Sequence, residues 1–335
     1  MTATLGWGVV GTGDVSRYLS SDLAMLDSAS RVAVSSRSLN AAEAFAADLG
    51  FGRGVGSLDD LLADAGVDIV YIGTPHSTHV DIGIAALEAG KHVLIEKPLG
   101  VTVADIARLA SAARSSRRFA MEAMWMKFHP YYRALLEEVH GGSIGRVGSV
   151  RASFGLPFGE PRSDRWSAQR SSSTLLDQGI YPVTLALDLL GEPTSVSSSA
   201  RIRDDGVDLT VHATLEFAGG RQAQLAASMV EYIDPSASVS GTEGWIAIPA
   251  PFWAGTGYVR HSGSIGDALT APTPVDFARE GFGYLPMLRA VTDAVLSGLT
   301  EHPLHPLSAT ASVAHVLDTI RAAAVAHPIT TEIHA

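Results

Sequence analysis

The sequence contains no cysteine among its 335 residues. This absence excludes disulfide bonds, thiolate-bound metal centres and cysteine nucleophiles, and it is compatible with a reducing compartment. The sequence also lacks any uninterrupted apolar run of the roughly 18 residues that a membrane span requires. Because Leu5 already belongs to the first apolar run, we expect no signal peptide and a cytoplasmic protein.

Basic residues are scarce, since 24 Lys and Arg stand against 35 Asp and Glu and give a formal net charge of −11. Without a basic cluster, neither nucleic acid nor an anionic membrane surface is an expected partner, and any anion must be bound locally. The hydrophobic fraction of 46% and the charged fraction of 18% are typical of a compact globular protein. The chain length favours two domains, because a domain usually holds roughly 100 to 200 residues.

Short apolar runs alternate with amphipathic segments in the first third of the chain. Asn40 with Glu43, and Thr102 with Asp105, have the spacing of a capping box and predict helix starts, while Gly50 predicts a helix end. This alternation predicts βαβ units and a parallel sheet. The predicted strands cover residues 5–10, 31–35, 69–72, 92–95 and 119–121.

The pattern changes after about Glu122. Residues 209–217 and 223–229 alternate apolar and polar positions, and Gly219-Gly220 between them is a hairpin signal. Strands clustered in this way predict a mainly antiparallel open sheet with helices on one face. The predicted fold class is therefore an N-terminal α/β domain over residues 1–122, followed by an α+β domain over 123–335 whose last helix covers 308–326.

A glycine-rich turn follows the first predicted strand, in the order Gly11-Thr12-Gly13-Asp14-Val15-Ser16. Gly11 permits a tight turn, Gly13 lets a pyrophosphate approach the backbone, and the small Ser16 allows close packing of helix on strand. The next helix offers free N–H groups to the phosphates. We interpret residues 1–122 as a Rossmann domain that binds a dinucleotide at 11–15; the alternative is an ordinary turn between strand and helix.

The second predicted strand ends at Ser36 and Arg37, where an NAD site normally carries a carboxylate for the ribose 2′-hydroxyl. A carboxylate would repel a 2′-phosphate, whereas a hydroxyl and a guanidinium bind one through charge-assisted hydrogen bonds. The sequence therefore favours NADP over NAD. The alternative is that Arg37 is a solvated loop residue.

The fourth predicted strand ends in Glu96-Lys97-Pro98-Leu99-Gly100, at the edge where open parallel sheets bind ligands. This EKPLG motif, after YIGTPHSTH at 71–79, resembles the Gfo/Idh/MocA oxidoreductases over nearly the whole chain. SSRS at 35–38, MEAMWMKFHP at 121–130, LLDQGIYP at 175–182 and SGTEGWIAIP at 240–249 are similar to the branch of dimeric dihydrodiol dehydrogenase and NADP-dependent D-xylose dehydrogenase.

The resemblance implies that Lys97 and Tyr181 flank the nicotinamide and transfer the proton of a substrate hydroxyl or carbonyl. Free Tyr and Lys titrate near pH 10, so each needs a lowered pKa to act as a base at neutral pH. A Lys97 ammonium would stabilise a Tyr181 phenolate, and an oxidised nicotinamide would disfavour a second positive charge. Which residue is the immediate acid or base stays open. Asp177 could orient Lys97, bind a substrate hydroxyl or simply lie at a helix end.

Further candidate site residues follow from strand ends and side-chain chemistry, and for Glu96 from the resemblance. Thr74, Pro75 and His76 are expected to line the nicotinamide riboside, and Glu96 is expected to shape the cofactor side of the cleft. His302 and His305 lack partner carboxylates at ligand spacing, so no metal is expected. Candidates for the substrate wall, each with core packing as the alternative, are Trp125, Phe154, Arg165 and Trp166.

These patterns predict an NADP-dependent oxidoreductase that transfers a hydride between nicotinamide C4 and a carbinol or carbonyl carbon of a sugar or cyclic polyol. The resemblance also implies a homodimer or tetramer formed through the open face of the C-terminal sheet. One alternative is a reductase of a non-sugar carbonyl. Another is a catalytically silent sensor or regulator that binds the dinucleotide, although such a protein would not need both Lys97 and Tyr181.

Arg37→Ala is expected to weaken NADP binding far more than NAD binding, because only NADP carries the 2′-phosphate that the guanidinium would contact. Titration of the two oxidised cofactors into wild type and variant measures both dissociation constants. An equal loss of affinity for NADP and NAD would contradict the assignment of Arg37 to the phosphate.

Overall fold

The structure, a computed structural model, describes residues 4–157, 167–171 and 173–327. Its N-terminal elements are β1 (Leu5–Val10), α1 (Asp14–Leu23), β2 (Ala29–Ser35), α2 (Leu39–Leu49), β3 (Arg53–Val55), α3 (Leu58–Leu62), β4 (Ile69–Ile72), α4 (His79–Glu88), β5 (His92–Ile95), α5 (Val103–Ser116) and β6 (Ala120–Glu122). They are followed by α6 (Pro130–His140), β7 (Val147–Gly155), α7 (Ile180–Leu190), β8 (Ser195–Ile202), β9 (Asp208–Phe217), β10 (Arg221–Ser228), β11 (Ala237–Gly241), β12 (Gly244–Ile248), β13 (Gly257–Ser262), α8 (Ile265–Thr270), β14 (Thr273–Asp276), α9 (Leu285–Leu296), α10 (Leu307–Ala323) and β15 (Ala324–His327).

The chain divides into two compact units. The first comprises residues 1–129 and 279–311, and the second comprises 130–278 and 312–335. This division differs from the sequence-based boundary at 122/123, because residues 279–311, which include α9, return to the first unit. Periodicity and capping signals describe one helix or strand at a time. They do not indicate that a segment late in the chain packs on an earlier domain. In the described part of the chain, no helix combines the length and apolar composition needed to cross a membrane.

The sheet of the first unit has six parallel strands in the order β3-β2-β1-β4-β5-β6. This order confirms the predicted Rossmann fold, in which the chain crosses from β3 back to the other side of β1. Strand β3 was missing from the prediction, because three residues are too few to show a period-two pattern.

Two helix boundaries differ from the sequence prediction. Helix α2 is capped by Ser38, whose Oγ accepts the Ala41 N–H at 3.3 Å, so the predicted cap, Asn40, lies inside the first turn. Helix α10 ends at Ala323 instead of 326, and the apolar residues that continue its pattern form β15, which pairs in parallel with β8. The capping box of Thr102 and Asp105 at the start of α5 is confirmed.

The sheet of the second unit has nine strands in the order β14-β13-β12-β11-β7-β10-β9-β8-β15. Only β7 with β10 and β8 with β15 pair in parallel, which confirms a mainly antiparallel sheet. The hairpin between β9 and β10 turns through Gly219 and Gly220, both with positive φ. Val211, Ala213 and Leu215 are buried on one face, whereas His212 on the other face is exposed.

Helix α9 begins without a side-chain cap of its own. Asp22, a fully buried residue of α1, supplies the missing acceptor: its Oδ1 accepts the Phe282 N–H at 2.7 Å, and its Oδ2 accepts those of Tyr284 and Leu285 at 2.8 and 3.0 Å. The carboxylate therefore also lies at the positive end of the α9 dipole. Asp22 anchors residues 282–285 to α1 of the same unit.

Asp22→Ala is expected to lower the free energy of unfolding by about 2 to 4 kcal/mol, because it leaves three backbone N–H groups without their acceptor. Urea unfolding followed by circular dichroism measures the change. Asp27→Ala is the control, since Asp27 is exposed five residues further along the chain and should shift stability by no more than about 0.5 kcal/mol. Equal effects of the two substitutions would contradict the anchoring role.

Candidate active site

The glycine-rich turn between β1 and α1 has two different glycines. Gly11 has φ +102°, and a Cβ there would lie 2.6 Å from the Gly73 carbonyl oxygen, so only glycine fits. Gly13 precedes α1 as its N-cap, provides no side-chain cap, and has nothing within 4 Å of where a Cβ would lie. The N-terminus of α1 thus has no side-chain cap and open space beside the Gly13 backbone, a geometry that fits a phosphate.

The other residues of this turn are placed around that opening. Thr12 and Val15 are half-buried, and Asp14 is exposed in the first turn of α1. Ser16 is fully buried where α1 passes Gly73, so a small side chain is required at this position.

Ser36 and Arg37 follow β2 at the same edge of the sheet. The Ser36 Oγ accepts the Ser38 N–H at 3.4 Å. Arg37 is exposed, and among the described residues it forms no ion pair. The position that a ribose-binding carboxylate would take therefore carries a hydroxyl and an available guanidinium.

The loop after β4 holds Thr74, Pro75 and His76, all half-buried. The fully buried His79 connects this loop to the next strand end, because its Nε2 lies 2.7 Å from the Thr74 carbonyl oxygen and its Nδ1 lies 2.9 Å from that of Pro98. Burial lowers the pKa of His79, against the opposing effect of these two carbonyls. His79 therefore joins the two loops that carry predicted site residues.

The end of β5 carries Glu96 and Lys97. Glu96 is buried; its Oε1 accepts the hydroxyl of Tyr71 at 2.9 Å, and its Oε2 accepts the Lys97 N–H at 3.1 Å. Burial raises the pKa of Glu96 to about 7, although the Lys97 charge and the two hydrogen bonds act in the opposite direction. Lys97 itself is half-buried, and its peptide bond to Pro98 is cis.

In the second unit, Tyr181 lies in the first turn of α7 within an aromatic cluster. The rings of Phe154 and Trp253 stack with centroids 3.4 Å apart and an interplanar angle of 6°. The Tyr181 ring centroid lies 5.9 Å from that of Phe154 and 5.8 Å from that of Trp253. Tyr181 is only 4% exposed, so the stacked pair fixes the orientation of its ring.

The remaining predicted residues are distributed over both units. Asp177 is half-buried in the π-helical turn Leu175–Gly179 that leads into α7. Trp125 belongs to the first unit, where its ring stacks on that of Tyr284 at 4.9 Å and 17°. Arg165 and Trp166 lie outside the described residues.

The two histidines near the start of α10 have separate contacts. His302 Nδ1 accepts the Leu304 N–H at 3.1 Å, and its ring packs edge-on against Phe128. His305 Nε2 lies 2.9 Å from Glu122 Oε2. Over residues 4–157, 167–171 and 173–327, no group of three or more potential metal-ligating His, Asp and Glu side chains occurs.

Comparison with known proteins identifies the family. Residues 5–123 match the oxidoreductase family with an NAD-binding Rossmann fold, and residues 132–247 match the Gfo/Idh/MocA C-terminal domain. The trans-1,2-dihydrobenzene-1,2-diol dehydrogenase of Mus musculus is 34% identical over 329 residues, which cover 95% of this chain and 96% of the mouse protein. The chain belongs to the Gfo/Idh/MocA oxidoreductase family. This membership confirms the resemblance and the prediction of an NAD(P)-dependent oxidoreductase.

Solved structures of other proteins share the fold over nearly the whole chain. A 3-ketoreductase from Actinomadura kijaniata, solved with NADP and TDP-benzene, has a TM-score of 0.87 and 28% identity, covering 97% of this chain and 99% of its own. An aldose-aldose oxidoreductase from Caulobacter crescentus, solved with glycerol, has a TM-score of 0.85 and 25% identity, covering 96% and 97%.

Two contacts of this Gfo/Idh/MocA protein were not anticipated from sequence. Trp253 stacks on Phe154 beside Tyr181, although it lies in a short loop between β12 and β13 where no periodic pattern applies. Tyr71 faces inward within β4 and binds Glu96, but a tyrosine in an apolar strand is ordinarily attributed to the core. Both contacts join segments that are remote in sequence, so only spacing in three dimensions reveals them.

Glu96→Gln is expected to gain stability relative to wild type as the pH rises from 5 to 8. A carboxyl whose pKa rises from 4.5 to about 7 on folding keeps a proton that the unfolded chain releases, so wild-type stability falls through this window. Glutamine mimics the protonated form at every pH. The stability difference, from urea unfolding at several pH values, should change by about 2 to 3 kcal/mol in favour of Gln. A difference independent of pH would contradict the raised pKa.

Proposed function

We propose that this protein is an NADP-dependent dehydrogenase or reductase that acts on a carbinol or carbonyl carbon of a sugar or cyclic polyol, dihydrodiols included. The observation that carries the proposal is the edge of the Rossmann sheet. At this edge, α1 begins without a side-chain cap, and Lys97 follows β5 with its N–H bonded to Glu96. Both features belong to the same compact unit. This is the edge at which open parallel sheets bind ligands.

The cofactor would be held by the strand ends of the first unit. The backbone of Gly11, Thr12 and Gly13, with the first N–H groups of α1 at Asp14 and Val15, would bind the pyrophosphate. Thr74, Pro75, His76 and Glu96 would line the nicotinamide riboside. When bound, the nicotinamide ring would supply hydride chemistry, and the protein's own contribution would be positioning and proton transfer.

The preference for NADP rests on the residues after β2. Ser36 and Arg37 offer a hydroxyl and an exposed cation in the place of a carboxylate, so a 2′-phosphate would gain charge-assisted hydrogen bonds there. The 3-ketoreductase from Actinomadura kijaniata, which was solved with NADP, supports the same preference.

Proton transfer is assigned to Lys97 and Tyr181. The Lys97 backbone is held through Glu96, and the Tyr181 ring packs beside the Phe154–Trp253 stack, so the Lys97 backbone and the Tyr181 ring are already positioned when substrate binds. In oxidation this pair would take the hydroxyl proton, and in reduction it would donate a proton to the carbonyl oxygen. Asp177 would orient one of the two groups or bind a substrate hydroxyl.

The substrate class follows from the aromatic surfaces. One face of Trp125 in the first unit stacks on Tyr284, and in the second unit Phe154 and Trp253 stack on each other. The outer faces and edges of these rings would contact the C–H face of a pyranose or the flat ring of a dihydrodiol. The named activities of the mouse dihydrodiol dehydrogenase and the Caulobacter aldose-aldose oxidoreductase both fit a ring or chain carbon that bears a hydroxyl.

We also propose that the protein forms a homodimer or tetramer through the open face of the nine-stranded sheet. A shallow groove runs across this face and is lined by polar and small side chains, including Arg151, Ser197, His212, Thr214 and Gln224. Sedimentation velocity on the purified protein tests the assembly, and a monomer at micromolar concentration would contradict it.

Lys97→Ala is expected to abolish turnover while the dissociation constant for NADP stays within roughly tenfold, or about 1.4 kcal/mol, of wild type. Tyr181→Phe should behave in the same way, because it removes only the hydroxyl. Turnover is measured as absorbance of the reduced ring with NADP⁺ and a panel of aldoses, inositols and trans-dihydrodiols, and cofactor binding by calorimetry.

The controls are Lys91→Ala, before β5 at the opposite strand end, and Tyr232→Phe, whose side chain is 83% exposed. Both controls should keep wild-type turnover. Wild-type protein that binds NADP but turns over no carbinol or carbonyl compound would favour a silent sensor and overturn the enzymatic proposal.

A further inference from the structure

The backbone from Lys97 to Leu99 is tied down by three ionisable side chains from three different elements. Glu96 Oε2 accepts the Lys97 N–H, His79 Nδ1 lies 2.9 Å from the Pro98 carbonyl oxygen, and Glu122 Oε1 accepts the Leu99 N–H at 2.9 Å. Pro98 has no N–H of its own. Both N–H groups of this segment therefore depend on a glutamate.

Glu122, the last residue of β6, is 2% exposed and is itself held from its other oxygen. Its Oε2 lies 2.9 Å from His305 Nε2 and 3.2 Å from the Thr310 hydroxyl. Burial alone would raise the pKa of Glu122, but hydrogen bonds from His305, Leu99 and Thr310 outweigh it and lower the pKa. Glu122 is therefore a charged carboxylate whose oxygens both point at fixed partners.

A buried contact between a carboxylate and a histidine is a weak explanation for stability, since apolar residues of similar volume often serve as well. A hydrophobic side chain at 122 could not accept the Leu99 N–H, however. The Leu99 side chain is fully buried and Pro98 restricts the backbone between it and Lys97, so the position of Leu99 is transmitted to Lys97. A displacement of about 1 Å at a reacting group can lower a rate on the order of a hundredfold.

We propose that Glu122, held by His305 and Thr310, is a positioning residue that sets the place of Lys97 through the Leu99 N–H. Glu122 does not touch the reacting atoms in this scheme. The inference rests on the proposed function, in which Lys97 transfers a proton.

Two substitutions of Glu122 distinguish the position of its acceptor oxygen from the charge of its carboxylate. Glu122→Gln keeps an oxygen at the same reach and removes the charge, whereas Glu122→Asp keeps the charge and withdraws the acceptor by one methylene. We expect kcat of Glu122→Gln to stay within about threefold of wild type. We expect kcat of Glu122→Asp to fall at least tenfold, with the KM and the dissociation constant for NADP within threefold of wild type.

A second measurement needs no substrate. NMR-detected hydrogen exchange at the Leu99 amide, taken relative to Leu94 in β5, should accelerate at least tenfold in Glu122→Asp and remain near wild type in Glu122→Gln. Asp22→Ala is the matched control, because it removes another fully buried carboxylate that accepts backbone N–H groups in the same unit. It should leave the ratio of Leu99 to Leu94 exchange unchanged.

Unchanged kcat and unchanged Leu99 exchange in Glu122→Asp would overturn the proposal. Equal impairment of the Gln and Asp variants would overturn it in favour of a role for charge. A loss of both kcat and NADP affinity in Glu122→Asp would also contradict the proposal, since a general structural defect lowers both. If wild-type protein shows no turnover, only the proposed function is contradicted. The ratio of Leu99 to Leu94 amide exchange would still decide whether Glu122 holds the segment from Lys97 to Leu99.

Discussion

Buried backbone groups at the carboxyl ends of β4, β5 and β6 must find hydrogen-bond partners, and in this protein ionisable side chains supply them. A buried N–H or C=O without a partner costs as much as a lost hydrogen bond. The ring nitrogens of His79 lie beside two loop carbonyls and can donate an N–H to one of them, and Glu96 and Glu122 each accept one loop N–H; these contacts hold the strand ends around Lys97. The site depends on this arrangement, because the edge of a parallel sheet is both where ligands bind and where the ladder of hydrogen bonds stops.

The two glutamates show how partners decide the charge of a buried carboxyl. Glu96 accepts one hydroxyl and one N–H, and burial raises its pKa to about 7. Glu122 has a histidine and a threonine hydroxyl in addition to an N–H, and its pKa is lowered. Desolvation acts on both, so the difference lies in the number and kind of the hydrogen-bond donors. The Lys97 segment thus lies between one glutamate with a raised pKa and another with a lowered pKa.

Much of the fold could be predicted from local pattern. Alternating strands and helices, the turn at Gly11 and the hairpin at Gly219-Gly220 each depend on residues close in sequence, where propensity and steric rules apply directly. The predictions failed where a pattern was short or ambiguous: β3 has three residues, and β15 continues the apolar periodicity of α10. The candidate site residues stay predictions: local pattern could propose them only where strand ends mark them, at 11–15, 36–37, 74–76 and 96–97, whereas the role of Tyr181 came from the resemblance.

The sequence by itself determined that a parallel sheet carries a glycine turn, a cation after β2 and a lysine at a strand end, because each of these is a local event in the chain. Only the tertiary structure decided which distant side chain meets which backbone group. Glu122 reaches His305 across 183 positions, and Asp22 caps a helix that begins more than 260 residues later. Such contacts produce no repeating pattern in the sequence, because they depend on how helices and strands pack in space and not on the spacing of residues along the chain.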